Sequence, residues 1–61
     1  MRRKYEYALA EQVNKDGEIE YKRLTWWSPS RIRMMALREE KLPEAIKAGR
    51  FLNVIVREAA Q

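Results

Sequence analysis

Val13-Asn14-Lys15-Asp16-Gly17-Glu18-Ile19 joins two runs that alternate in polarity. Before it, Tyr5, Tyr7, Leu9 and Val13 alternate with Glu6, Ala8, Ala10 and Gln12. A period of two over residues 4–13 is the pattern of a strand. After it, Glu18-Ile19-Glu20-Tyr21-Lys22 alternates again, to about Trp27. Asn or Asp early and Gly last suit a type I turn closed by a glycine in the left-handed region. The two runs and the turn predict a β-hairpin. A loop of Lys15-Asp16-Gly17 sets Asn14 opposite Glu18, Val13 opposite Ile19, Leu9 opposite Arg23 and Tyr5 opposite Trp27. That register gathers Tyr5, Tyr7, Leu9, Val13, Ile19, Tyr21 and Trp27 on one face, which reads as a core. Glu6, Ala8, Ala10, Gln12, Glu20, Lys22, Leu24 and Trp26 take the other. A one-residue slip scatters the apolar set, so burial should fix the register. The result depends on loop width: a loop of two or four residues changes the pairing and can exchange the roles of the two tryptophans.

Thr25-Trp26-Trp27-Ser28-Pro29-Ser30 leads from the hairpin into a helix. Ser28 or Ser30 can cap it, and Ser28 with Pro29 in the first turn is the better geometry, because proline lacks the N–H that is orphaned there. The helix is expected to run to about Lys41. Pro43 disfavours helical geometry at Leu42 and should break or kink it. Glu44 to Ala48 reads as a further short turn closed by Gly49. On the helix, Ile32, Met35 and Ala36 share a face, and Met34 lies away from them. Arg50-Phe51-Leu52-Asn53-Val54-Ile55-Val56-Arg57 supplies a third strand. The fold class is therefore α+β: β-hairpin, helix, strand (ββαβ), with a three-stranded antiparallel sheet of order 2-1-3 and the helix on one face. Leu52, Val54 and Val56 should join the core face. Phe51, Asn53, Ile55 and Arg57 should share the open face with Leu24 and Trp26.

With 61 residues there is room for a single domain spanning 1–61, with a basic arm at 1–4 and a frayed end at 59–61. A core of this size rarely supplies more than about 3–5 kcal/mol. The chain has no Cys and no His, so neither a disulfide nor a histidine or cysteine metal site supports it. Absence of disulfides suits a reducing, cytoplasmic setting. No apolar run follows Arg2-Arg3-Lys4, so neither a signal peptide nor a membrane span is expected. The net charge of +4 permits polyanion binding without requiring it.

Catalysis is a poor expectation. No pair of nucleophile and base can be named, and Glu39-Glu40 point about 100° apart on a helix. Gly17 and Gly49 each have a local turn role, so no phosphate-cradling loop is present, and no catalytic residue, metal or cofactor is expected. Two binding surfaces remain. The first is the open face, where Leu24, Trp26, Phe51 and Ile55 would form an apolar patch. A second copy of the chain, forming a homodimer, is one occupant such a face can have. The second is basic: Arg31, Met34, Arg38 and Lys41 recur at one helical stripe, roughly opposite Ile32 and Ala36, with the arm Arg2, Arg3 and Lys4 beside it. Such a stripe can lie along phosphates, though a solvated outer face explains it as well.

The order of hairpin, Ser-capped helix, Gly and final hydrophobic strand, from Tyr5 to Glu58, resembles several small phage-encoded proteins. Phage inhibitors of bacterial RNA polymerase and some anti-CRISPR proteins are similar in size and plan. Lys47-Ala48-Gly49-Arg50-Phe51-Leu52-Asn53-Val54 is the closest local piece. The resemblance implies a non-enzymatic inhibitor or modulator whose partner is a host or cellular protein. Ser30-Arg31 through Lys41-Leu42-Pro43, with Lys47 to Arg50, is also similar to the recognition helix and wing of small excisionase-like DNA-binding proteins. There the resemblance implies a nucleic-acid partner, although a hairpin stands where those proteins carry a helix.

Overall fold

A computed structural model describes residues 4–59. Its elements are β1 (Tyr5–Lys15), β2 (Glu18–Arg23), α1 (Arg31–Lys47) and β3 (Phe51–Glu58). The three strands form one antiparallel sheet in the order β2-β1-β3, with α1 packed on β1 and β3. The α+β class, the ββαβ order and the strand order follow the sequence reading.

The hairpin register differs from the expected one. Lys15 stands opposite Glu18, so the loop is Asp16-Gly17 alone. Both residues have positive φ, 53° and 84°. Two left-handed residues in a two-residue loop match the right-handed twist of the flanking strands, which a three-residue loop reaches only with a bulge. The one-residue shift moves every β2 side chain to the opposite face. Ile19 and Tyr21, expected in the core, lie with Gln12 and Asn14 on the face away from the helix. Leu24 donates its N–H to the Leu9 carbonyl at 2.8 Å and so falls on the helix side.

β2 also ends sooner than expected, and the ladder resumes after a wide bulge. Ser28 pairs with Tyr7 through two bonds of 2.7 and 2.8 Å. Thr25, Trp26 and Trp27 therefore stand opposite the single residue Ala8, which bends the strand toward the helix start. The bulge withdraws a ladder carbonyl from Leu9, and the Thr25 hydroxyl replaces it, accepting the Leu9 N–H at 3.0 Å.

Ser30, not Ser28, caps the helix: its side chain accepts the Arg33 N–H at 3.1 Å. The Ser28–Tyr7 bridge holds Ser28 in the sheet, which leaves Ser30 as the first residue able to cap. Neither does the helix stop at Lys41. It runs through Pro43 to Lys47. An internal proline costs a helix about 3 kcal/mol. Two features hold the helix beyond it. Ala45 is buried against Leu9 and Leu52. The end is closed by a Schellman motif, with Gly49 (φ 71°) donating to Ile46 and Arg50 to Ala45.

Burial against the sheet sets the phase of the helix. Met34, Leu37 and Ala45 turn toward the sheet, while Ile32 is 83% exposed. Of the face shared by Ile32, Met35 and Ala36, Ile32 thus points outward, while Met35 sits at the margin of the packed side beside Tyr7, Val54 and Val56. The core is small: Leu9 is its largest fully buried side chain, joined by Ala45 and Leu52, with Leu37 and Val54 against them. The molecule measures 42 × 28 × 14 Å, so its two layers leave little volume far from water. Outside the core, Arg50 Nη2 donates to Glu11 Oε1 at 2.9 Å and ties the start of β3 to β1.

Two measurements check this account. Thr25→Val keeps the shape but orphans the Leu9 amide, and an unpaired buried donor costs about 1–3 kcal/mol. Urea denaturation should show that loss in Thr25→Val and largely spare Thr25→Ser, and equal stability of Thr25→Val and wild type would disprove the hydroxyl's role. The second concerns pH. The hydrogen bond from Arg50 holds the Glu11 carboxyl below the usual glutamate range. A depressed carboxylate contributes stability that is complete above the ordinary glutamate pKa and is lost as pH falls through the lowered folded value. The stability difference between wild type and Glu11→Gln should therefore shrink across that acidic window and stay constant above it, as thermal melts at a series of pH values would show.

Candidate protein-binding face

The sheet face away from α1 is built from alternate residues of all three strands. Register places Glu6, Ala8, Ala10, Gln12 and Asn14 of β1 there, with Ile19, Tyr21 and Arg23 of β2 and Phe51, Asn53, Ile55 and Arg57 of β3. Among the described residues, no helix covers it. Phe51 is 66% exposed, Ile19 57% and Tyr21 52%. Ile55 is half-buried, and Ala8 and Ala10 form a fully buried floor. Small residues on the central strand let the flanking side chains close over them. Asn53 donates to Gln12 Oε1 at 3.0 Å, a polar rung between β1 and β3.

One end of this face is a cation–π stack. Ser28 pairs with Tyr7 on the helix side, so its neighbour Trp27 turns to the outer face. The Arg57 guanidinium lies 4.2 Å from the Trp27 ring centroid and the Arg23 guanidinium 5.4 Å from it. Arg57 is itself held by Glu6, with Nε to Oε1 at 3.0 Å. Trp27 is half-buried, and its indole N–H is shut from water without an acceptor. Arginine over a tryptophan face contributes about 0.5–1 kcal/mol at exposed sites and more when desolvated. The stack thus covers an aromatic side chain that no core reaches.

The structure separates the residues expected to form one patch. Phe51 and Ile55 lie on the outer face as expected. Trp26 is 85% exposed at the bulge, 5.8 Å from the Arg23 guanidinium, and together with Trp27 borders an open depression with Arg33, Met34, Leu37 and Glu40. It therefore adjoins the face without lying in it. Leu24 is on the other side of the sheet, beside Lys41, Glu44, Ala45 and Leu52. Trp27, expected in the core beside Tyr5, belongs to the outer face. Ile19, Tyr21 and Arg23 are the members that the expected register hid.

The basic stripe is also rearranged. Its Met34 is buried, and Arg38 is half-buried with Nε donating to the Leu52 carbonyl at 2.9 Å. Arg31 and Lys41 are exposed at the two margins of this sheet-facing stripe. The four residues do not form a solvated outer row. Lys4 is exposed and its carbonyl accepts from Ala59 at 2.8 Å. Arg2 and Arg3 lie outside the described residues. Among the described residues there is no cluster of three or more carboxylates suited to a metal ion, and no helix long and apolar enough to cross a membrane. No family model, curated protein or solved structure matches this chain.

The Trp27 stack gives a spectroscopic prediction. In a Trp26→Phe background, Trp27 emission should be blue-shifted and resist acrylamide quenching. Adding Arg57→Ala should raise the quenching constant at least ~2-fold with the fold retained, because a single guanidinium at about 4 Å shields much of one ring face. Equal quenching in the two proteins would show that Arg57 does not cover the ring.

Proposed function

We propose that this chain is a non-enzymatic protein-binding module that engages its partner through the outer face of the sheet. The observation that carries this reading is the composition of that face. Phe51, Tyr21, Ile19 and Ile55 present apolar surface over an alanine floor, flanked by Arg23 and Arg57. Aromatic residues and arginine are the side chains enriched at binding hot spots. The floor and the inter-strand bonds hold the backbone beneath them, so few degrees of freedom are lost on association. Trp26 extends the surface at the bulge end and Ile46 beside Phe51 extends it at the other. The small phage inhibitors that the chain resembles suggest the setting, a host protein whose surface is masked. No chemical step is assigned to the domain.

The test compares affinity capture from lysate by wild type, Phe51→Ala, Tyr21→Ala and Trp26→Ala, each with and without nuclease treatment. All three side chains are exposed, so the variants should keep wild-type circular dichroism and melting temperature. Loss of a hot-spot side chain costs about 2 kcal/mol or more, some 30-fold in affinity. Phe51→Ala and Tyr21→Ala should each lose the captured protein to that extent, and Trp26→Ala less. Undiminished capture by both would remove the outer face from consideration. Capture that vanishes on nuclease treatment would instead favour a nucleic-acid-binding regulator.

A further inference from the structure

The backbone of β1 shows which groups of β3 are unused. Tyr7 exchanges both of its bonds with Ser28, on the β2 side, so its β3 partner Val56 must direct its N–H and C=O away from the sheet. Leu9 likewise bonds toward Leu24 and Thr25, so its partner Val54 points outward too. Leu52 follows the same alternation, and its carbonyl is the acceptor of Arg38 Nε. Val54 and Val56 thus offer two N–H and two C=O groups along an edge without a proline, bulge or charge at either residue, the features that usually blunt an edge strand. Beside them runs a groove of about 280 Å³, lined by Tyr7, Met35, Val54 and Val56 and flanked by Arg31 and Arg38. Among the described residues, neither arginine has a carboxylate within ion-pair distance. The other edge differs: β2 is Glu-Ile-Glu-Tyr-Lys-Arg, charged along its length, and α1 does not flank it.

We propose that the β3 edge is a strand-addition site that takes an extended acidic segment of a partner protein. The guest pairs with Val54 and Val56. Its side chains alternate between the open face, which takes the apolar residues, and the groove, where carboxylates meet Arg31 and Arg38. Arg38, by occupying the Leu52 carbonyl, ends the addition at that side, and Glu58 stands at the other. A second copy of this chain fits less well. Edge-to-edge pairing would set the Arg31 and Arg38 of two molecules along one seam, each molecule carrying a net charge of +4. The site uses backbone groups and a groove separate from the outer face, so it stands whether or not that face binds.

The probe is a capped six-residue peptide alternating valine and glutamate, titrated into the full-length, 15N-labelled protein. Amide shifts are expected at Val54 and Val56 and in the first half of α1. N-methylation of alternate peptide nitrogens should abolish them. A valine–lysine peptide should bind at least ~10-fold more weakly, and Arg31→Glu should reverse that preference. Val56→Pro, which removes an outward N–H and no ladder bond, should lose binding with the fold retained. Should that variant unfold, Arg31→Glu decides alone. Shifts confined to β2 or to the outer face, equal affinity for the lysine peptide, or no binding would overturn the proposal. So would sedimentation of the free protein as a dimer whose β3 amides are already protected.

Discussion

Asp16 and Gly17 close the hairpin in left-handed geometry, and every side chain of β2 takes its face from that width. Side chains in a strand alternate with a period of two, so a loop one residue longer would exchange the two faces of β2 completely. With two residues in the loop, Ile19, Tyr21 and Arg23 lie on the outer face and Leu24 on the helix face beside Leu9. The apolar surface of the hairpin is divided between two sides of one sheet. A core of Leu9, Ala45 and Leu52 remains beneath the helix, and an exposed aromatic surface remains above.

The bulge at Thr25, Trp26 and Trp27 works against that register and repairs it. A regular continuation of β2 would carry the chain straight past Tyr7. The extra residues instead let Ser28 rejoin the ladder, put Trp27 over the outer face and leave Trp26 in solvent. The disruption takes the ladder partner from the Leu9 N–H, and the Thr25 hydroxyl accepts it instead. From Ser28 the consequences continue into the helix. Fixing Ser28 in the sheet leaves Ser30 as the cap, and the helix that starts there turns Met34, Leu37 and Arg38 to the sheet and Ile32 to water.

Much of this plan is legible in the chain. The alternation of Tyr5 to Val13, the β-branched run at Val54 to Val56 and the glycine at 49 identify the strands, their order and the helix end. The hairpin width was legible too, because Asp-Gly between alternating runs is a signature of the two-residue turn. Grouping the hydrophobic residues favours three residues instead, since it places Ile19, Tyr21 and Trp27 in a single core. That criterion fails for a domain that keeps aromatic residues on its open face. The helix phase was hidden for a different reason. Met34, Leu37, Leu42 and Ala45 form the inward stripe, but the stripe is complete only when the helix is read through Pro43. A helix stopped at Lys41 omits Leu42 and Ala45, and Ile32 with Met35 and Ala36 then looks like the better face.

Arg38 shows how a charge that reads as solvated can be structural. It sits on the inward stripe, where its long apolar stem can lie along the helix–sheet boundary while its head reaches the rim. There its Nε meets an outward carbonyl of β3, that of Leu52, and leaves the carbonyls of Val54 and Val56 alone. The outer face meets the same problem with Arg57 and Arg23, which cover Trp27 where no second layer exists. In both places guanidinium groups cover surface that the two layers of the fold leave without a packing partner. Arg23, Arg38 and Arg57 serve the fold's own margins, and those margins, the outer face and the β3 edge, are where the molecule keeps unsatisfied surface.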